Sequence, residues 1–173
     1  MVFEMFFVRR AYTEILSHEL KKAVRMLRAV PVERFDAREA GCGASARELA
    51  MGVVRHVRRI DEITFGSSTG SCRTGVPSRG EIMLELETAY LGAHTSLATL
   101  PAARWAEVVP APIGISTLRQ GRRGELLWLA LRELIRHDHH LALHVRGAVH
   151  GDAASLHEAS RPESGVGELP VGV

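Results

Sequence analysis

The chain has 173 residues, of which 46% are hydrophobic, and a formal net charge of +2. This length is enough for one domain with its own core, and the balanced charge excludes a general attraction to nucleic acid or to an anionic membrane. No run of 18 apolar residues occurs, and the apolar N-terminus is interrupted by Glu4 and followed by its arginines. We therefore expect a cytoplasmic protein without a signal peptide or a membrane span.

The first predicted helix covers about residues 7–30. Its apolar residues recur at helical spacing, and Pro31 ends the pattern. The inward stripe contains Ile15, Leu16, Leu20, Val24 and Leu27.

The second predicted helix begins with the S-x-x-E pattern of a capping box, Ser45 to Glu48, and runs to about Phe65. At 100° per residue, His56 falls on the apolar face of this helix. Two interpretations are open for His56: a core histidine bonded to a carboxylate or backbone group, or a metal ligand.

The third predicted helix runs from about Arg79 to Leu100, and Pro101 stops it. A Gly/Ser-rich loop precedes it, and residues 110–124 form a loop with two prolines. Cys42 and Cys72 flank the second helix, which holds them roughly 30 Å apart, so we expect free thiols in loops.

The fourth predicted helix runs from Gly124 to about Ala148 and carries His137, His139, His140 and His144. The pair His140 and His144 has the i, i+4 spacing that lets two imidazoles bind one metal ion. A metal site needs a third ligand, for which His56 is the candidate. The alternative to a metal site is that these histidines form a solvent-exposed polar edge of the helix. Residues 151–173 are rich in Gly, Pro and Ser and predict a flexible tail after a single domain of residues 1–150.

Four amphipathic helices and no convincing strand predict an all-α, up-down-up-down four-helix bundle. In that order the second and fourth helices run the same way. His56 and His140 each lie about ten residues before the end of their helix, so we expect them at similar depth.

Three segments carry a resemblance to a known family: Ser45–Ala50, Ala89–Pro101, and His140-x-x-x-His144 followed by Arg146-Gly147. They resemble the DinB/YfiT superfamily of metal-dependent four-helix bundles. The resemblance implies a homodimer with a divalent metal, nickel or zinc first and iron or manganese next, held by His56, His140 and His144. It also implies a thiol-dependent S-transferase or a hydrolase acting on a small molecule such as a low-molecular-weight thiol. It assigns no catalytic residue.

The chain departs from the family pattern at the second helix, and the departure leaves alternatives open. In many relatives the histidine comes about seven residues after the capping serine, where this chain has Gly52. A second register therefore gives a degenerate site of Gly52, Arg136 and His140 without metal, and His137 is an alternative to His144. The metal-free alternative is a dimeric stress-response or interaction module, with Trp128 at the dimer interface.

Overall fold

Four helices form the body of the protein in a computed structural model that describes residues 2–38, 43–66, 75–112 and 119–159. They are α1 (Val2–Ala29), α2 (Ala46–Phe65), α3 (Arg79–Thr99) and α4 (Arg123–Ala159). The predicted all-α four-helix bundle is confirmed. Among the described residues, no helix is both long and apolar enough to cross a membrane.

Two 3₁₀ segments and a short ribbon complete the described part of the chain. The 3₁₀ segments are Val32–Arg34 and Ala102–Ala106, and β1 (Val108–Pro110) pairs antiparallel with β2 (Gln120–Arg122). The sequence did not predict this ribbon, because strands of three residues are too short to show an alternating pattern.

Capping boxes fix the starts of α2 and α3. Ser45 Oγ accepts from the backbone N–H of Glu48 at 3.2 Å, and Glu48 Oε2 accepts from the N–H of Ser45 at 2.8 Å. Ser78 and Glu81 repeat the arrangement at α3. The capping box predicted at Ser45 is therefore confirmed, and each box satisfies two N–H groups that the helix itself leaves unpaired.

The hydrophobic core is enclosed by all four helices. Both α1 and α2 pack against α3 and α4 but make little contact with each other, so they occupy opposite corners of the bundle. The largest buried side chains come from all four helices and include Leu16, Leu27, Ile60, Ile82, Leu86, Tyr90, Leu97, Leu127 and Leu131.

Contacts at the helix ends show that α1 runs antiparallel to α3 and parallel to α4. Arg9, near the start of α1, donates to the Leu100 carbonyl after α3 at 2.7 Å, and Arg79, at the start of α3, donates to Val30 O at 2.9 Å. Tyr12 and Trp128, each near the start of its helix, have ring centroids 6.2 Å apart.

Side-chain pairs show that α2 and α3 run parallel to each other. Arg58 pairs with Glu85, and Asp61, further along α2, accepts from Ser96, further along α3. The helix order is therefore up-down-down-up, and α2 and α4 are antiparallel.

This order corrects the expectation that α2 and α4 run in the same direction. The residues between α2 and α3, 66–78, reach roughly 40 Å when extended, which exceeds the roughly 30 Å length of α2. The chain can therefore return along the bundle before α3 begins, and the hydrophobic pattern of the helices does not reveal this.

The last helix is longer than predicted. It continues to Ala159, so residues 151–159, predicted as part of the tail, are helical. Ala, Leu and Glu in this segment favour a helix and offset the cost of about 1 kcal/mol from Gly151. Residues 160–173, together with Cys42 and Cys72, lie outside the described residues.

Candidate histidine and arginine site

The inner face of α2 positions the first histidine of the site. His56 is 6% exposed and lies between the buried residues Val53 and Ile60 on that face. The inward position predicted from helical periodicity is confirmed. A buried imidazole in such an apolar setting needs hydrogen-bond partners or another polar group beside it.

The histidine of α4 that meets His56 is His137. The two ring centroids are 4.3 Å apart and the ring planes are inclined by 52°. Gly52, one turn before His56, makes this contact sterically feasible, because a Cβ at that position would lie 2.7 Å from His137 Cδ2 and 2.9 Å from its Nε2. The His137 ring thus lies over Gly52, where any larger residue would collide with it.

The structure does not bring His56, His140 and His144 to one point. His140 is exposed, and its ring centroid is 6.3 Å from that of His137. His144 is buried, and in the described part of the chain neither of its ring nitrogens has a hydrogen-bond partner.

The antiparallel order explains the separation of His144 from His56. The seven residues from His137 to His144 advance about 10 Å along α4, toward the N-terminal end of α2. His56 lies on the other side of Gly52, toward the C-terminal end of α2. Within the part of the chain that the structure describes, no three His, Cys, Asp or Glu side chains form a group able to hold a metal ion.

Arginine side chains surround the histidine pair. Arg59 Nη1 lies 3.2 Å from His56 Nδ1. Because a guanidinium can only donate, Nδ1 is the acceptor, and the proton of the neutral imidazole is then on Nε2. Arg55 is also close, since its Nη2 lies 3.7 Å from the Cβ position of Gly52. Arg136 follows from α4 and pairs with Glu133 at 2.6 Å.

Burial and positive charge keep both imidazoles neutral. Burial is the main cause that lowers the pKa of His56, to about 3, and the neighbouring His137, Arg59, Arg55 and Arg136 lower it further. Burial also lowers the pKa of His137, with Arg136 next in effect and Glu133 acting in the opposite direction. A group with a pKa near 3 is too weak a base for proton abstraction at neutral pH, so His56 is suited to donating a hydrogen bond from Nε2.

These features do not fit a resident divalent metal. A metal-bound histidine offers a ring lone pair and usually donates its other N–H to a carboxylate or carbonyl. His56 has the reverse arrangement, because its Nδ1 accepts from a guanidinium. The positive charges of the nearby arginines also oppose a cation. The same groups are hydrogen-bond donors and positive charges, which is the chemistry that holds an anion.

A second polar cluster in the bundle interior was not found from the sequence. Asp138 is fully buried, and neither of its oxygens accepts a hydrogen bond from any residue that the structure describes. Burial first, and then the neighbouring Glu19 carboxylate, raise the pKa of Asp138 to about 9. Lys22 Nζ lies 3.1 Å from Glu19 Oε2. Asp138 therefore keeps its proton at neutral pH and is the donor toward Glu19.

The position of Asp138 in the sequence does carry a signal. It lies four residues after Leu134 and three before Leu141, both fully buried, so helical spacing places it on the inward stripe. His137, one residue earlier, is turned by about 100° and faces α2. Adjacent residues of α4 thus face different neighbours, with His137 toward α2 and Asp138 toward Glu19 of α1.

The fold defines a class of helical bundle. The chain has a DinB-like fold: it is similar to the crystal structure of YjoA, a DinB-like protein from Bacillus subtilis, with a TM-score of 0.61. The match covers 79% of this chain and 92% of YjoA at 19% sequence identity, so it shows the fold alone. No protein-family model matches the sequence, and no curated protein matches it.

Proposed function

We propose that this DinB-like bundle binds a small molecule through an anionic group at the His56–His137 pair, without a resident metal. We name His56, His137, Arg55, Arg59 and Arg136 the His–Arg site. The observation that carries the proposal is the donation from Arg59 to His56 Nδ1, which makes the buried imidazole a donor beside the Arg55 and Arg59 guanidinium groups. A low-molecular-weight thiol is the ligand class that we favour, because it supplies a thiolate or a carboxylate.

The charge balance around the pair supports an anion. Arg136 is neutralised by Glu133, and in the described residues Arg55 and Arg59 have no carboxylate within salt-bridge distance. Two uncompensated guanidinium groups beside a neutral, buried imidazole give a positive local potential. An anion there gains charge-assisted hydrogen bonds, which are about twice as strong as neutral ones.

A metal-dependent transferase or hydrolase is the second candidate, and one observation favours it. Two imidazoles from different helices lie 4.3 Å apart, and the buried Nδ1 of His137 has no hydrogen-bond partner. In this candidate, nickel or zinc binds His56 together with His137, the α4 histidine that lies beside it, and not with the separated His144.

Isothermal titration with glutathione and with inorganic phosphate tests the anion proposal on the full, untagged chain. We expect Arg55→Ala and Arg59→Ala each to weaken binding roughly tenfold to a hundredfold, which corresponds to the loss of a hydrogen bond to a charged group. Arg28→Ala in the last turn of α1 is the matched control and should leave binding unchanged.

Elemental analysis of the same untagged protein separates the two candidates. The anion proposal expects substoichiometric nickel and zinc, and a melting temperature that does not change with a chelator. Near-stoichiometric metal that is lost in His137→Ala but kept in the exposed His139→Ala would overturn it in favour of the metalloenzyme.

A further inference from the structure

A cavity lies at the N-terminal end of α4, away from the His–Arg site. It is an open space of about 760 Å³ between the first half of α1, the segment Ala102–Ala106 and the first turns of α4. This volume is within the range of small-molecule pockets. Trp128 lies nine residues before His137, which is about 13 Å along α4, so the two sites are separate.

Aromatic side chains form the walls of this cavity, which we name the tryptophan cavity. Tyr12, Trp105 and Trp128 all line it. The Tyr12 and Trp105 centroids are 5.4 Å apart at 62°, an edge-to-face pair, and those of Tyr12 and Trp128 are 6.2 Å apart at 34°. Trp128 is 47% exposed. A flat aromatic ligand can extend these ring contacts in the offset or edge-to-face geometry that aromatic groups prefer.

Two charged side chains, Arg122 and Glu125, line the cavity together with the buried Trp105. Trp105 is 5% exposed, and its buried Nε1–H has no hydrogen-bond partner among the described residues. Arg122 lines the same cavity, is exposed and has no salt bridge to any described carboxylate. Glu125 also lines the cavity, and its charge opposes ligands with more than one negative charge.

We propose that the tryptophan cavity binds a flat aromatic molecule that carries a single carboxylate. The ring packs against Tyr12 and Trp128, and the carboxylate interacts with the Arg122 guanidinium. The proposal does not depend on the His–Arg site, because no residue is shared between the two.

The chain provides its own reporter for this binding. It contains only two tryptophans, and both line the cavity, so any ligand there perturbs all of the tryptophan fluorescence. The probe is 3-phenylpropionate. The comparison compounds are 3-cyclohexylpropionate, which lacks the aromatic ring, and 3-phenylpropan-1-ol, which lacks the carboxylate.

We expect a saturable fluorescence change with 3-phenylpropionate and weaker binding of both comparison compounds. Arg122→Gln should weaken 3-phenylpropionate binding roughly twofold to fivefold, as expected for loss of an exposed ion pair, and should leave binding of the alcohol unchanged. Glu125→Gln should strengthen carboxylate binding. Arg132→Gln, an exposed arginine of α4 that does not line the cavity, is the matched control.

Three results would overturn the proposal. They are no saturable change at millimolar probe, equal affinity for the cyclohexyl compound, and equal affinity of wild type and Arg122→Gln for 3-phenylpropionate. Sedimentation velocity identifies a competing occupant: a concentration-dependent dimer that 3-phenylpropionate does not dissociate would mean that a second copy of the chain covers Trp128. Glutathione binding is measured in parallel and does not involve Arg122, so failure here is distinguishable from failure at the His–Arg site.

Discussion

Replacing Gly52 by alanine tests the contact between α2 and α4 that defines the His–Arg site. In an ordinary helix interior this change stabilises a protein by about 0.5–1 kcal/mol, because alanine loses less backbone entropy on folding. Here the new Cβ would lie 2.7 Å from His137 Cδ2, so the ring has to move. His137 is half-buried, and leaving its preferred rotamer costs about 0.5–1.5 kcal/mol.

The expected net effect of Gly52→Ala on the free energy of unfolding therefore lies between a gain of about 0.5 kcal/mol and a loss of about 1 kcal/mol. Gly92→Ala in the middle of α3 is the matched control. A Cβ there would have only an ordinary contact, 3.9 Å from Asp61 Oδ2, so it should give the full gain of about 0.5–1 kcal/mol. Chemical denaturation measures both variants, and NMR should show a displaced His137 imidazole only in Gly52→Ala.

One result would refute the reasoning about Gly52. If Gly52→Ala stabilises the protein as much as Gly92→Ala and leaves the His137 signals in place, the ring does not lie against residue 52. The pairing with His56 would then have to be abandoned as the centre of the site.

Three further predictions follow from groups with shifted pKa values or defined hydrogen bonds. His56 should show no protonation in NMR titration down to about pH 5, and because its folded pKa is lowered to about 3, its contribution destabilises the fold as the pH falls below about 6.5. The pKa of Asp138 is about 9 in the folded protein, above its ordinary value near 4, so the free energy of unfolding should fall as the pH rises from about 4 to about 9. Asp138→Asn should stabilise the protein at pH 8 and make the free energy of unfolding less dependent on pH, as measured by chemical denaturation. Ser45→Ala should cost about 1 kcal/mol in thermal unfolding, with Ser45→Asp recovering most of it.

The sequence was sufficient for the local structure of this protein. Helical periodicity and the capping box at Ser45 predicted α2 nearly to the residue, and periodicity also predicted that His56 is buried. These features depend on interactions within one helix, which a linear pattern records directly. The same reasoning predicted α3, but it missed the first five residues of α1, the β1–β2 ribbon and the far end of α4.

The site required information that periodicity does not contain. The i, i+4 rule relates His140 to His144 along one helix, but the histidine that meets His56 depends on the direction of α4 relative to α2. The antiparallel direction selects His137, which the sequence analysis named only as an alternative to His144. The Glu19–Asp138 pair likewise joins helices more than a hundred residues apart, which no short motif encodes.

The corner positions of α1 and α2 have a consequence for the order in which the protein can acquire its structure. Each of these helices buries its apolar face against α3 and α4 and gains little from the other. A nascent chain that ends before residue 123 therefore lacks α4. The apolar faces of α1 and α2 that pack against α4 then remain exposed to solvent. Contacts such as Tyr12 with Trp128 close only after the last helix is made, so folding should be slow for an all-helical protein and should depend on release of the full chain.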